Sequence, residues 1–138
     1  MKLLLLLFLI ICSVTDIKYK KISLWLSAFF VIIGLLFRTF SDYTFYDTLV
    51  SVAPGIFLIL LGVLCPSHIG LGDGIMILAC GCTLSLFDTL FIIFTSCVLS
   101  IVYFFSYRLI KKAKCASVAF APFLLTGYIL LLITGRFL

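Results

Sequence analysis

Pro66-Ser67-His68-Ile69-Gly70-Leu71-Gly72-Asp73-Gly74 divides this chain. An apolar run from about Thr48 to Cys65 precedes it, and another, opened by Asp73-Gly74, continues to about Phe87. Proline and glycine at this density end helices. The stretch therefore predicts a connection between two apolar helices, with one carboxylate at the start of the second.

Similar runs lie on both sides. Upstream are Leu3 to Val14, ending at Asp16, and Ile22 to Phe37, ending at Arg38. Pro54-Gly55 falls inside the third run, where a proline is tolerated if neighbouring helices satisfy the freed backbone groups. Downstream, Asp88 marks a tight connection, a fifth run reaches Tyr107, and Val118 to Thr134 forms a sixth. Of the 138 residues, 65% are hydrophobic and 11% charged, with a mean hydropathy of +1.42. A soluble domain carries about 25% charged residues, so a water-soluble globule, a disordered chain and a nucleic-acid module are all excluded. About 20 residues cross a bilayer as a helix. The expected fold is an all-α polytopic membrane protein of about six transmembrane helices, forming one domain over residues 1–138. The first run is expected to be retained as a span rather than cleaved as a signal sequence, since no small-residue cleavage site follows it.

Lysine and arginine set the expected orientation. Lys18, Lys20, Lys21, Arg108, Lys111, Lys112 and Lys114 fall in the odd loops, against Lys2, Arg38 and Arg136 on the other side. The odd loops are thus expected in the cytoplasm and both termini outside. There is no Glu, and this topology sorts the five aspartates. Asp42, Asp47 and Asp88 fall outside as caps or turn residues. Asp16 and Asp73 fall on the cytoplasmic side, each at the end of an apolar run. Ionisable groups near membrane depth are costly and tend to face a bundle interior or a watery cavity, so a facing pair is expected. Two carboxylates about 3 Å apart share one proton, and the ionised member can activate a water while the other polarises a carbonyl. Helix ends suggest a division of roles: Asp73 at an N-terminus as base, Asp16 near a C-terminus as acid.

Each aspartate also has a plainer reading. Asp73 after Gly72 fits an N-cap, and Asp16 can pair with Lys20 one turn on. Cys12, Cys65, Cys80, Cys82, Cys97 and Cys115 read as small apolar packing residues, since no C-x-x-C pair exists. His68 reads as a plain polar loop residue, and Trp25 and Tyr107 as interfacial anchors. A different class of function is a small transporter or proton-coupled subunit using Asp16 and Asp73 as a relay. Transporters tend to place carboxylates mid-span and to show repeated halves, neither of which is visible here.

Three segments together resemble the prepilin peptidases. Asp16-Ile17-Lys18-Tyr19-Lys20-Lys21-Ile22, followed by Trp25-Leu26, is similar to that family's first aspartate motif. Gly70-Leu71-Gly72-Asp73 is similar to its G-x-G-D motif, and Phe120-Ala121-Pro122-Phe123-Leu124 to its last-helix Pro-Phe segment. The chain departs from the family at Ile75, where a lysine is frequent, at Ser23-Leu24, where Pro-Asn is frequent, and at Ala119. The resemblance implies a membrane aspartyl endopeptidase of the cytoplasmic (inner) membrane that removes the short basic leader of prepilin or pseudopilin precursors. It implies Asp16 and Asp73 as the catalytic pair, and Gly70, Gly72 and Gly74 as points of close backbone approach or substrate binding. Lys18 and Pro122 are accessory candidates. It implies no metal and no other cofactor. The cysteine-bearing added domain of the larger enzymes is not seen, so a peptidase without methyltransferase activity is expected. The bilayer and the precursor are the expected partners, and nucleic acid is not.

Overall fold

The computed structural model describes residues 2–19, 24–41, 43–65, 70–111 and 119–134. Its described residues form six helices: α1 (Lys2–Tyr19), α2 (Leu24–Thr39), α3 (Phe45–Leu64), α4 (Leu71–Gly81), α5 (Leu86–Lys111) and α6 (Ala121–Ile133). Asp42, His68, Cys115, Lys20, Lys21, Lys112, Lys114 and Arg136, each given a reading above, lie outside the described residues.

The helices begin and end where local chemistry dictates. Thr44 caps α3 by accepting from the Asp47 backbone N–H at 3.2 Å, while the Asp47 carboxylate accepts from the Thr44 backbone N–H. This reciprocal pair satisfies two of the donors a helix start leaves open. At the start of α5, Ser85 satisfies one such donor: its hydroxyl accepts from the Asp88 N–H and donates to the Asp88 carboxylate at 2.7 Å. Asp88 therefore lies in the first turn of α5, and the connection itself spans 82–85, earlier than the expected fourth run. That run extended to Phe87, but α4 ends at Gly81. α3 runs through Pro54 without a break, as expected.

Two helices, Phe45–Leu64 and Leu86–Leu109, are long and apolar enough to cross a membrane. Helix α4 has 11 residues and α6 has 13, about 17 and 20 Å at 1.5 Å per residue. Neither covers a hydrocarbon core of about 30 Å alone. The expected fourth and sixth spans are thus shorter as helices than their apolar runs.

Helix α4 occupies the centre, packing on α2, α3 and α5, with Gly74, Met76, Ile77, Ala79, Cys80 and Gly81 all buried. Its closest contact is with α3, and glycine makes it possible. A Cβ on Gly55 would meet the Leu78 backbone at 2.4 Å, one on Gly74 the Ile59 N at 2.9 Å, and one on Gly81 the Ser51 carbonyl at 2.4 Å. The pairs Gly55–Leu78, Ile59–Gly74 and Ser51–Gly81 fix α3 and α4 as antiparallel. Small residues at such contacts let backbones approach, which is how helices associate where water supplies no hydrophobic drive.

Helix α1 packs on α6, which packs in turn on α5. Leu5, Leu9, Cys12 and Asp16 form a buried stripe along α1, and Ala121, Leu124, Tyr128 and Leu131 its counterpart on α6. The Tyr128 hydroxyl donates to the Lys2 carbonyl at 3.0 Å, and the Phe8 and Phe30 rings stack at 4.3 Å between α1 and α2. Arg38, at the end of α2, is 3% exposed. Its guanidinium donates to the Cys82 carbonyl at 3.1 Å and to the Leu84 carbonyl. A cation thus satisfies carbonyls that the end of α4 leaves open.

Candidate active site

The C-terminal end of α1, the start of α4 and the start of α6 meet at one end of the bundle. Asp16 is the last member of the buried stripe on α1 and is 7% exposed. Its Oδ2 accepts a hydrogen bond at 3.1 Å from the backbone N–H of Ala121, the first residue of α6. Pro122, at the second position, has no N–H, which costs nothing where helical donors are unpaired anyway. The Phe123 and Leu124 N–H groups turn back to the Phe120 carbonyl. The Ala121 N–H is consequently the donor the helix start offers to Asp16.

This contact overturns the division of roles drawn from helix ends. Asp16 does end α1, but its carboxylate accepts from the start of α6 and so is not left alone at the end of its own helix. The two aspartates therefore both face helix N-termini, and the argument for Asp73 as the better anion fails.

Asp73 is half-buried in the first turn of α4. The N-cap is Gly70, with φ −72° and ψ 125° and no side chain to cap with, so Asp73 is the third helical residue rather than the cap itself. Its backbone N–H donates to the Gly70 carbonyl at 3.1 Å. Among the described residues no hydrogen bond holds its carboxyl, and the charge acting on it is that of Asp16. The two carboxyl groups, far apart in sequence, are thus within electrostatic reach of each other.

The glycines divide into two kinds. A Cβ on Gly70 would stand 3.1 Å from Asp73 Oδ2, so its bareness keeps space open at the carboxyl. Gly74 faces Ile59 on α3, where it serves helix packing, and it also lines the cleft beside Asp73. Gly72 is half-buried between them. Lys18 is exposed, with its ammonium 5.3 Å over the ring of its neighbour Tyr19. Among the described residues no ion pair joins it to Asp16, which holds the Ala121 N–H instead.

Asp73 opens onto a cleft of about 240 Å³ between α3, α4, α5 and the residue preceding α6. Among the described residues its walls carry no carboxylate or cation apart from Asp73; Cys97 on α5 and Phe120 line it, and sequence reasoning gave neither a site role. The Ala121 N–H was missed as well, since a backbone donor has no side-chain signature. Cys12, Cys80 and Cys82 are buried as packing residues, whereas Cys65 and Cys97 are exposed. Among the described residues no group of three or more His, Cys, Asp or Glu comes together that could hold a metal.

Two carboxyl groups within electrostatic reach of each other, beside an apolar cleft, are thus what the described residues bring together at this end of the bundle. The model of the type IV leader peptidase family matches residues 3–105, and the chain belongs to that family of peptidases. The match takes in both Asp16 and the Gly70–Asp73 segment and ends before Pro122. No curated protein and no solved structure gives a significant match to the chain.

Proposed function

We propose that the chain is a membrane aspartyl endopeptidase that cleaves the short basic leader of prepilin-like precursors at the cytoplasmic face, using Asp16 and Asp73 as one proton-sharing pair. The observation that carries this reading is their convergence: Asp16, buried and hydrogen-bonded to the start of α6, is the charge that acts on half-buried Asp73. Family membership supports the peptidase class. The charge count supports odd loops on the cytoplasmic side, and family membership with the apolar helices supports a multi-pass protein of the inner membrane.

In this mechanism the two carboxyls hold one proton between them. Asp16, whose anion the Ala121 N–H stabilises, takes a proton from a water. That water's oxygen attacks the peptide carbon, and Asp73 protonates the carbonyl oxygen. When the C–N bond breaks, Asp16 passes its new proton to the leaving amine, and the gem-diol returns a proton to Asp73. The Asp73 carboxyl has no hydrogen bond among the described residues, so none of them must be displaced as a donor before it meets the substrate. Lys18, Gly72 and Pro122 serve as accessories: a basic flank, a bare approach to the peptide, and a fixed start to α6. The reaction proposed is hydrolysis alone, without methyl transfer.

Co-expression with a prepilin precursor tests the reading. Asp16→Asn and Asp73→Asn are each expected to abolish leader removal while the protein still accumulates in the membrane. Full cleavage by both variants would refute it.

A further inference from the structure

A second cavity, of about 240 Å³, opens at the opposite end of the bundle, about 21 Å along α1 from Asp16. Lys2, Phe37 and Tyr43 form its exposed rim, and Leu5, Leu84 and Tyr128 its buried floor. We propose that this cavity binds the phosphate group of a lipid headgroup, with Lys2 and Arg38 supplying positive charge and Tyr43 a hydroxyl donor.

Both cations run against the topology. The charge count predicts the outer side for this end, where lysine and arginine are disfavoured, yet the fold brings Lys2 and Arg38 to one cavity. Arg38 stands behind the wall. It donates to the Leu84 carbonyl, and its guanidinium carbon lies 4.8 Å from the centre of the Tyr43 ring; both residues line the cavity. Nε and Nη2 are taken by the Cys82 and Leu84 carbonyls, but Nη1 is buried with no hydrogen-bond partner among the described residues. A buried charged donor left unused is costly, and phosphate oxygens match the guanidinium fork. Tyr43 is 49% exposed, so its ring is free to turn aside and open Nη1 to a ligand. Asp47 acts on Arg38 from α3, but its carboxylate is held by the Thr44 hydroxyl and N–H and leaves Nη1 unpaired. Among the described residues no carboxylate lines the cavity.

Volume and walls select the occupant. A cavity of about 150 Å³ holds a benzene molecule, so this one has room for a phosphate with the first carbons attached to it. The apolar floor receives those carbons, which a free phosphate ion lacks. Basic pockets between spanning helices bind lipid phosphates by this chemistry. Tyr128 donates to the Lys2 carbonyl across the floor, so an occupant braces the α1–α6 pair that joins Asp16 to Ala121 further along.

The test uses the full-length chain in detergent micelles, read by thermal melts and native mass spectrometry. The probes are phosphatidylglycerol, diacylglycerol with the same acyl chains, and inorganic phosphate. Phosphatidylglycerol is expected to bind and to raise the melting temperature; diacylglycerol, which lacks the phosphate, is not. Lys2→Glu should weaken phosphatidylglycerol binding about tenfold or more, the loss of one charge-assisted hydrogen bond, and Lys2→Arg should retain it. Lys2→Glu keeps the backbone carbonyl that Tyr128 uses and places an acid in the first turn of α1, where it is favourable. The unliganded variant should therefore melt as the parent does. Equal binding of phosphatidylglycerol by the parent and Lys2→Glu overturns the site, as does equal stabilisation by diacylglycerol. Stabilisation by inorganic phosphate alone, lost in Lys2→Glu, upholds the phosphate site and overturns a lipid as its source.

Discussion

The carboxylate of Asp16 on α1 accepts a hydrogen bond from the backbone N–H of Ala121, 105 residues along the chain, at 3.1 Å. The contact does two things. It ties the first helix to the last, and it sets a buried anion against a helix start rather than leaving it at the unfavourable end of its own helix.

Substitutions at Asp16 separate these effects. Asp16→Asn keeps an oxygen to accept from Ala121, whereas Asp16→Ala leaves a buried N–H unpaired, at about 1–3 kcal/mol. Both should reduce cleavage by more than about a hundredfold. Only the alanine variant should also unfold at clearly lower temperature in detergent. Equal melting of the two would show that the hydrogen bond does not contribute to stability.

Two glycines only four residues apart should behave differently. Gly70→Ala introduces a Cβ 3.1 Å from the Asp73 carboxyl, whose far end can swing aside, so stability should hold while kcat falls. Gly74→Ala meets the backbone of Ile59, which cannot yield without parting α3 from α4. Overpacking of this kind costs about 1–3 kcal/mol. Thermal melts paired with cleavage kinetics on both variants would reveal the contrast.

Arg38 is expected to be structural. Replacing it with Met removes the donors to the Cys82 and Leu84 carbonyls, each bond to a charged group being worth about 1.5–3 kcal/mol. Arg38→Lys should recover only part of this, because one ammonium cannot reproduce the guanidinium fork. A lysine variant as stable as the parent would contradict the clamp.

A proton-sharing pair also has a pH signature. Cleavage should fail as pH falls, when the pair holds two protons and no base remains. It should fail again as pH rises, when Asp73 loses the proton it donates. A rate that climbs to a plateau with no upper limb would exclude Asp73 as the acid.

Much of the helical plan was legible because apolar runs in a chain with so few charges leave few places for breaks. Asp47 and Asp88 read from the sequence as caps or turn residues, and the structure pairs them with the Thr44 and Ser85 hydroxyls in the first turns of α3 and α5. The run boundaries were less legible: the apolar letters continue through Cys82, Thr83 and Leu84, yet α4 stops at Gly81 and Arg38 holds the following carbonyls. Apolar sequence cannot mark an end that is made by a side chain on another helix.

The inward face of α1 was hidden for a related reason. Leu3 to Ile11 is apolar on every side, so no periodicity separates buried Leu5 and Leu9 from exposed Leu3 and Leu7. Composition and charge placement by themselves singled out Asp16 and Asp73, because carboxylates are rare here and these two flank apolar runs on the side where the charge count predicts the cytoplasm. What only the tertiary structure decided is what surrounds them: the start of α6 against Asp16, the open Gly70 edge and the apolar cleft beside Asp73. Those environments are made by backbone groups and by residues distant in sequence, and a helix carries no local record of which neighbour it will meet.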